Sequence, residues 1–277
     1  MRKLLTQVVA LGILGVVANT ANANPDTDKA AFQNYFKAKF PNTEYQDFTN
    51  GVYSIDSASR AQWEEIEEFP PYEIAIEEGE RIFNKPFKNG KSYADCIPNG
   101  GVGEAHKYPM YDDKKGEVVT LALAVNNCRK ANGEKPFKYK KGKMASILAY
   151  LTYTSRNKTI DIKVDGDAAM AAYNKGKQFY YARRGQLNMA CAHCHVDNSG
   201  KRIRADILSP ALGHTSGFPV YRSKWGSMGT LHRRFAGCNK QVRAKPFKAQ
   251  SSQYRNLEYF LTYMSNGLEV NGPSARK

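Results

Sequence analysis

The stretch Cys191-Ala192-His193-Cys194-His195 holds two thiols three positions apart, followed at once by an imidazole. Two thiols at that spacing can form thioethers to the two vinyl groups of a single haem, and the next histidine is then placed to ligate the iron. A zinc site would use the same residue types, but it needs two more ligands at similar spacing and none is evident. A thioredoxin-like redox pair has no use for His195. Covalent attachment of one haem c is therefore the expected chemistry, with His195 as an axial ligand. His193 lies between the two cysteines, off the ligand position, and reads as surface.

A second stretch, His232-Arg233-Arg234-Phe235-Ala236-Gly237-Cys238-Asn239-Lys240, crowds basic residues around a lone thiol about forty positions downstream. The far side of the iron needs a ligand or an open position. Met228 and Met264 are candidates, although Met264 sits on the apolar face of a helical pattern. His214, His232 and Cys238 are others. A thiolate there would lower the reduction potential, and neighbouring cations would keep the thiol ionised and attract an anion to the same sulfur. A buried inert cysteine is the plainer alternative, as is a basic cluster that serves a haem propionate.

Positioning these groups requires helices. Residues 169–185, AMAAYNKGKQFYYARRG, suit an amphipathic helix that leads into the cysteine pair, and 254–267, YRNLEYFLTYMSNG, a second one stopped at Asn266-Gly267. The expected fold is mainly α. A shift of 110 residues brings two segments into register without gaps. Cys128 falls on Cys238, Lys135-Pro136-Phe137-Lys138 on Lys245-Pro246-Phe247-Lys248, and Leu151-Thr152-Tyr153 on Leu261-Thr262-Tyr263. Two tandem cytochrome c-like domains related by internal duplication are expected at residues 79–160 and 161–277. Only the second carries the haem motif, so the first is expected to be haem-less. Cys96 and Cys128, with no haem to hold, are natural disulfide partners. Opposite His232, Arg233 and Arg234 the first copy has Ala122, Leu123 and Ala124, which suggests that the basic residues serve something other than folding.

Residues 1–23 read as a secretory signal peptide, with Arg2 and Lys3, a short apolar run over 8–17, and a small-residue cleavage site ending at Ala23. The apolar run is too short to span a bilayer. Residues 24–78 read as an N-terminal helical extension. The formal charge of +15 on 277 residues suits anionic partners, and export argues against nucleic acid.

The pairing of CAHCH with HRRFAGCNK, on a duplicated cytochrome-like chain, resembles the SoxA family, the A subunits of the Sox thiosulfate-oxidising system. The likeness extends over essentially the whole mature chain. It implies a periplasmic L-cysteine S-thiosulfotransferase subunit, paired with the small cytochrome SoxX, that joins thiosulfate to a cysteine of the carrier SoxYZ. On these residues it implies Cys191 and Cys194 as haem attachments and His195 as proximal ligand. Cys238 would be distal ligand and nucleophile, carried as a persulfide, and Arg234 would bind the sulfonate of thiosulfate. Some members hold a second haem, but Cys96 lacks the rest of that motif. The chain therefore resembles the single-haem branch, with Cys96 and Cys128 bridged. A pure electron carrier, with no bond-making at Cys238, is the alternative.

Overall fold

Residues 24–277 are described by a computed structural model, and the expected signal peptide lies outside them. The fold is mainly helical, as expected. The chain enters through α1 (Pro25–Lys39), whose first amides are capped by the Asn24 side chain, with Asp26 and Asp28 in the first turn and Lys37 and Lys39 in the last. Phe32 and Phe36 on its apolar side join the core of the far, C-terminal half. Asp28 accepts from Tyr173 Oη (2.9 Å) and Lys177 Nζ (2.7 Å), and Gln33 donates to the carbonyl of Asn266 (2.9 Å). Lys39 donates to the carbonyl of Val196 (2.6 Å), beside His195. Helix α2 (Ser57–Glu67) follows, capped by Asp56.

The first half follows. Helix α3 (Glu73–Asn84) crosses residue 78. A hairpin of β1 (Met110–Asp112) and β2 (Glu117–Val119) leads into α4 (Leu121–Ala131), and α5 (Lys143–Tyr153) packs back onto α3. The second half runs in the same order. Helix α6 (Gly166–Tyr181) precedes the cysteine motif and a short ribbon of β3 (Arg202–Ile203) and β4 (Asp206–Ile207). Next come the hairpin β5 (Val220–Arg222) and β6 (Ser227–Gly229), then α7 (Leu231–Gln241) and α8 (Ser252–Met264). The last strand, β7 (Ser274–Arg276), adds to β5 in parallel.

One device recurs at both helix crossings. A Cβ on Gly79 of α3 would lie 2.1 Å from the carbonyl oxygen of Ser146 on α5, and one on Gly176 of α6 would lie 2.0 Å from that of Asn256 on α8. Ser146 and Asn256 stand 110 residues apart, as do the Thr120 and Thr230 that open α4 and α7. Each half has its own core, and Tyr72, Ala75, Ala145, Ala149, Met228 and Ala275 form a smaller apolar cluster of residues from both.

In the first half Cys96 and Cys128 form a disulfide, with Cα atoms 5.7 Å apart across a sequence separation of 32. A loop of that length restricts the unfolded chain by about 3–4 kcal/mol in the chain-entropy model. The double variant C96S/C128S is therefore expected to melt at lower temperature while keeping an unchanged haem spectrum. Both readings come from one sample by calorimetry and visible absorption.

Candidate functional site

Helix α6 ends at Tyr181, and an isolated bridge between Arg184 and Met189 turns the chain into the cysteine motif. Residues His193–Asp197 form one turn of π-helix, wider than the α form and frequent at functional sites. His193 is held within this turn, its Nδ1 accepting the amide N–H of Ala190 at 2.9 Å. His195 is oriented by its own loop. Its Nδ1 lies 3.0 Å from the carbonyl oxygen of Ser209, which can only accept, so Nδ1 carries the proton and Nε2 keeps its lone pair. That is the tautomer an iron ligand needs. Sequence reasoning missed Ser209, since a carbonyl leaves no mark on residue type.

The ring of His214 packs edge-on against His195 with centroids 4.3 Å apart, and its Nε2 meets Ser209 Oγ at 2.9 Å. Burial, with the charges of Arg234 and Arg276, holds His214 well below the usual histidine range, so it is neutral. It serves as packing partner of His195. Met228 lies in the cluster shared by the two halves, and Met264 is a fully buried packing residue of the second core. His232 is buried with Nδ1 accepting the Gln250 amide at 2.9 Å and Nε2 2.9 Å from Glu258. These four candidates for the far side of the iron are thereby occupied elsewhere.

Cys238 is the thiol that faces His195. It is partly exposed on α7, within hydrogen-bonding influence of that ring. Burial alone would raise its pKa. Arg234 one turn earlier, His195 and Arg222 outweigh burial and pull it from the ordinary 9.0 down to about 7. The other two free thiols go the opposite way, as burial pushes Cys191 up to about 12 and raises Cys194. A redox pair needs a ready thiolate, so this contrast disfavours it for Cys191 and Cys194. Among the described residues, no three His, Cys, Asp or Glu side chains are grouped to hold a metal ion by themselves.

The basic cluster divides on inspection. Of the three residues expected to serve something other than folding, His232 and Arg233 depart from it. His232 fills a buried gap against α8. Arg233 stacks over Trp225 at 4.1 Å and donates to Ser227 Oγ and the Met228 carbonyl. Asn239 is also structural, donating to the Phe235 carbonyl and to Tyr254 Oη, while Lys240 is exposed. Arg234 has no side-chain hydrogen bond or ion pair among the described residues, and it is the largest influence that lowers the pKa of Cys238.

A haem c fits what remains. Cys191 and Cys194 sit on one turn, His195 presents a prepared Nε2, and Cys238 stands across from it. Among the described residues the buried Nη1 of Arg184, beside Cys191, has no hydrogen-bond partner and no carboxylate in ion-pair range, as suits a propionate.

The family model for the SoxA/TsdA cytochrome c domain matches residues 78–160 and 175–270. The L-cysteine S-thiosulfotransferase subunit SoxA of Allochromatium vinosum is 56% identical over 276 residues, covering 99% of this chain and 98% of that protein. The subunit of that name from Chlorobaculum tepidum is 53% identical over 282 residues, covering 100% and 98%. A chain in the crystal structure of SoxXA from P. pantotrophus superposes with a TM-score of 0.72 at 33% identity, over 81% of this chain and 86% of that one.

Proposed function

Because the chain belongs to the SoxA family of L-cysteine S-thiosulfotransferase subunits, we propose that it joins thiosulfate to a cysteine of the carrier SoxYZ, in the periplasm and paired with SoxX. We further propose that its two halves are a duplicated cytochrome c-like unit, residues 79–160 and 161–277, of which only the second holds haem. The observation that carries this reading is the placement of one thiol, Cys238, between a charge-bearing arginine and the prepared face of His195.

Cys191 and Cys194 would hold the haem by thioethers, and His195 would ligate it through Nε2. When bound, the haem supplies the electron-accepting chemistry. Arg234 draws the thiosulfate dianion to α7 and neutralises its sulfonate. The outer sulfur of thiosulfate and the sulfur on Cys238 then join in an S–S bond, and the two electrons released would be accepted by the cytochrome pair that this chain forms with SoxX, one per haem. The thiolate of the carrier cysteine attacks the outer sulfur, takes the S–SO3 group, and returns the sulfur on Cys238 as thiolate. Atoms and charge balance over the two steps, and no proton is needed if both sulfurs start ionised.

Trapping the intermediate tests this. The oxidised complex, given thiosulfate and no carrier, should gain one S–SO3 group on the Cys238 peptide, measured by mass. Because the thiol is depressed to about 7, its thiolate is present above that pH and lost as pH falls through it. Adduct formation should therefore be half-maximal near pH 7. In R234Q, with the largest lowering influence removed, that midpoint should move upward. An adduct on any other residue, or none, ends the proposal.

A further inference from the structure

Lys39, in the last turn of α1, spends its side chain on the turn that carries His195. Its ammonium donates to the carbonyl of Val196 at 2.6 Å, to that of Asp197 at 3.0 Å and to Tyr35 Oη at 3.2 Å. Three N–H donors meet three acceptors, the full capacity of the group. Tyr35 lies one turn earlier on the same face of α1, and its hydroxyl donates to the Val196 carbonyl at 3.1 Å. Both donors therefore act on the two residues that follow His195, across 157 residues of chain.

A lysine at a helix end is ordinarily a solvated charge whose stem lies along the surface. Lys39 is instead half-buried, and among the described residues it forms no ion pair. Lys37, in the same last turn, is exposed and rests over the Tyr45 ring at 4.7 Å. The residues around Lys39 hold it in place. Phe36 is fully buried and meets Tyr35 edge-on at 5.2 Å. Phe40 lies over Gly200, where a Cβ would come 3.2 Å from its ring. Earlier carbonyls of the turn find partners close by in the chain, as His193 accepts from Asn198 Nδ2 at 2.7 Å and His195 from the amide of Ala211 at 3.0 Å. Ser209 thus orients the His195 ring, while α1 fixes the backbone just beyond it.

We propose that Lys39 and Tyr35 are positioning residues for His195, and that the charge of Lys39 raises the reduction potential of the haem. This rests on His195 as an axial ligand, as read above. The oxidised iron centre carries one more positive charge than the reduced one. A cation fixed beside its ligand disfavours oxidation, and a half-buried cation is screened less than an exposed one. Contacts behind a ligating histidine tune the iron in the same way.

The experiment uses the haem-loaded full chain and reads two quantities, the reduction potential by redox titration and amide hydrogen exchange by mass. K39M should lower the potential and speed exchange over residues 193–199 about tenfold, the size of one charge-assisted contact. Y35F removes one donor and no charge, so it should speed exchange there by less and leave the potential unmoved. K39R should keep the potential. K37M removes an equal charge from the same turn of α1 and should change neither quantity. Equal potentials and equal exchange in K39M and K37M overturn the inference. Exchange that rises evenly through the chain in K39M, with the potential unmoved, also overturns it, by making Lys39 a contact of folding alone. If K39M loses its haem, K39Q takes its place, for which a lowered potential supports the proposal and an unmoved one counts against it. Pulsed EPR of the oxidised wild type, with isotopically labelled histidine, tests the ligand separately. If no histidine nitrogen is bound to iron, the ligand reading fails and the proposal with it, whatever the variants give.

Discussion

C238S is expected to lose thiosulfate turnover by at least about a thousandfold, because removing a nucleophile leaves only binding and charge stabilisation to act. Serine keeps the size of the side chain, so α7 and its contacts are preserved. Its hydroxyl ionises far too weakly to replace a thiol that the surroundings bring to about 7. The haem should stay attached, since Cys191, Cys194 and His195 lie on a separate segment with its own hydrogen bonds. Steady-state assay with the carrier and a visible spectrum of the same sample give both halves of the result. Near-normal turnover would leave a cytochrome whose thiol is idle.

The second large effect is on folding. G176A puts a methyl group 2.0 Å from the carbonyl oxygen of Asn256, an atom of the helix backbone that cannot swing aside as a side chain could. Helices α6 and α8 must separate, at a cost of about 3 kcal/mol, the upper range for an overpacked core. For a chain of this size that corresponds to a fall of roughly 10 °C in Tm. G79A should act alike in the first half, against Ser146. Gly237, inside α7 where a Cβ would meet nothing within 4 Å, is the control, and G237A should hold or slightly raise Tm, since alanine suits a helix interior better than glycine. Equal melting of all three variants would mean that the crossings are looser than the backbone contacts imply.

How far the sequence led depended on whether a feature is local. CAHCH was legible because thioether chemistry fixes its spacing within one helical turn. The helices around it were legible from their periodicity. The strands were not, since β3 and β4 have two residues each and the others three, too few for an alternating pattern to stand out. His232 was misread because its partners, Gln250 and Glu258, come from the next helix and its entry loop, and only packing reveals that the ring points inward.

Helix α1 bears on how the molecule comes apart. It begins the described chain yet grips the half that ends it, through Asp28, Gln33 and Lys39. The intervening half is joined to the same partner by Arg255 with Glu117 and by Thr230 Oγ1 with the Tyr139 carbonyl. The order of the chain is thus folded back on itself, and neither half can loosen without disturbing a clasp held by the other. Loss of structure is therefore a collective event, and damage far from the iron is felt at it.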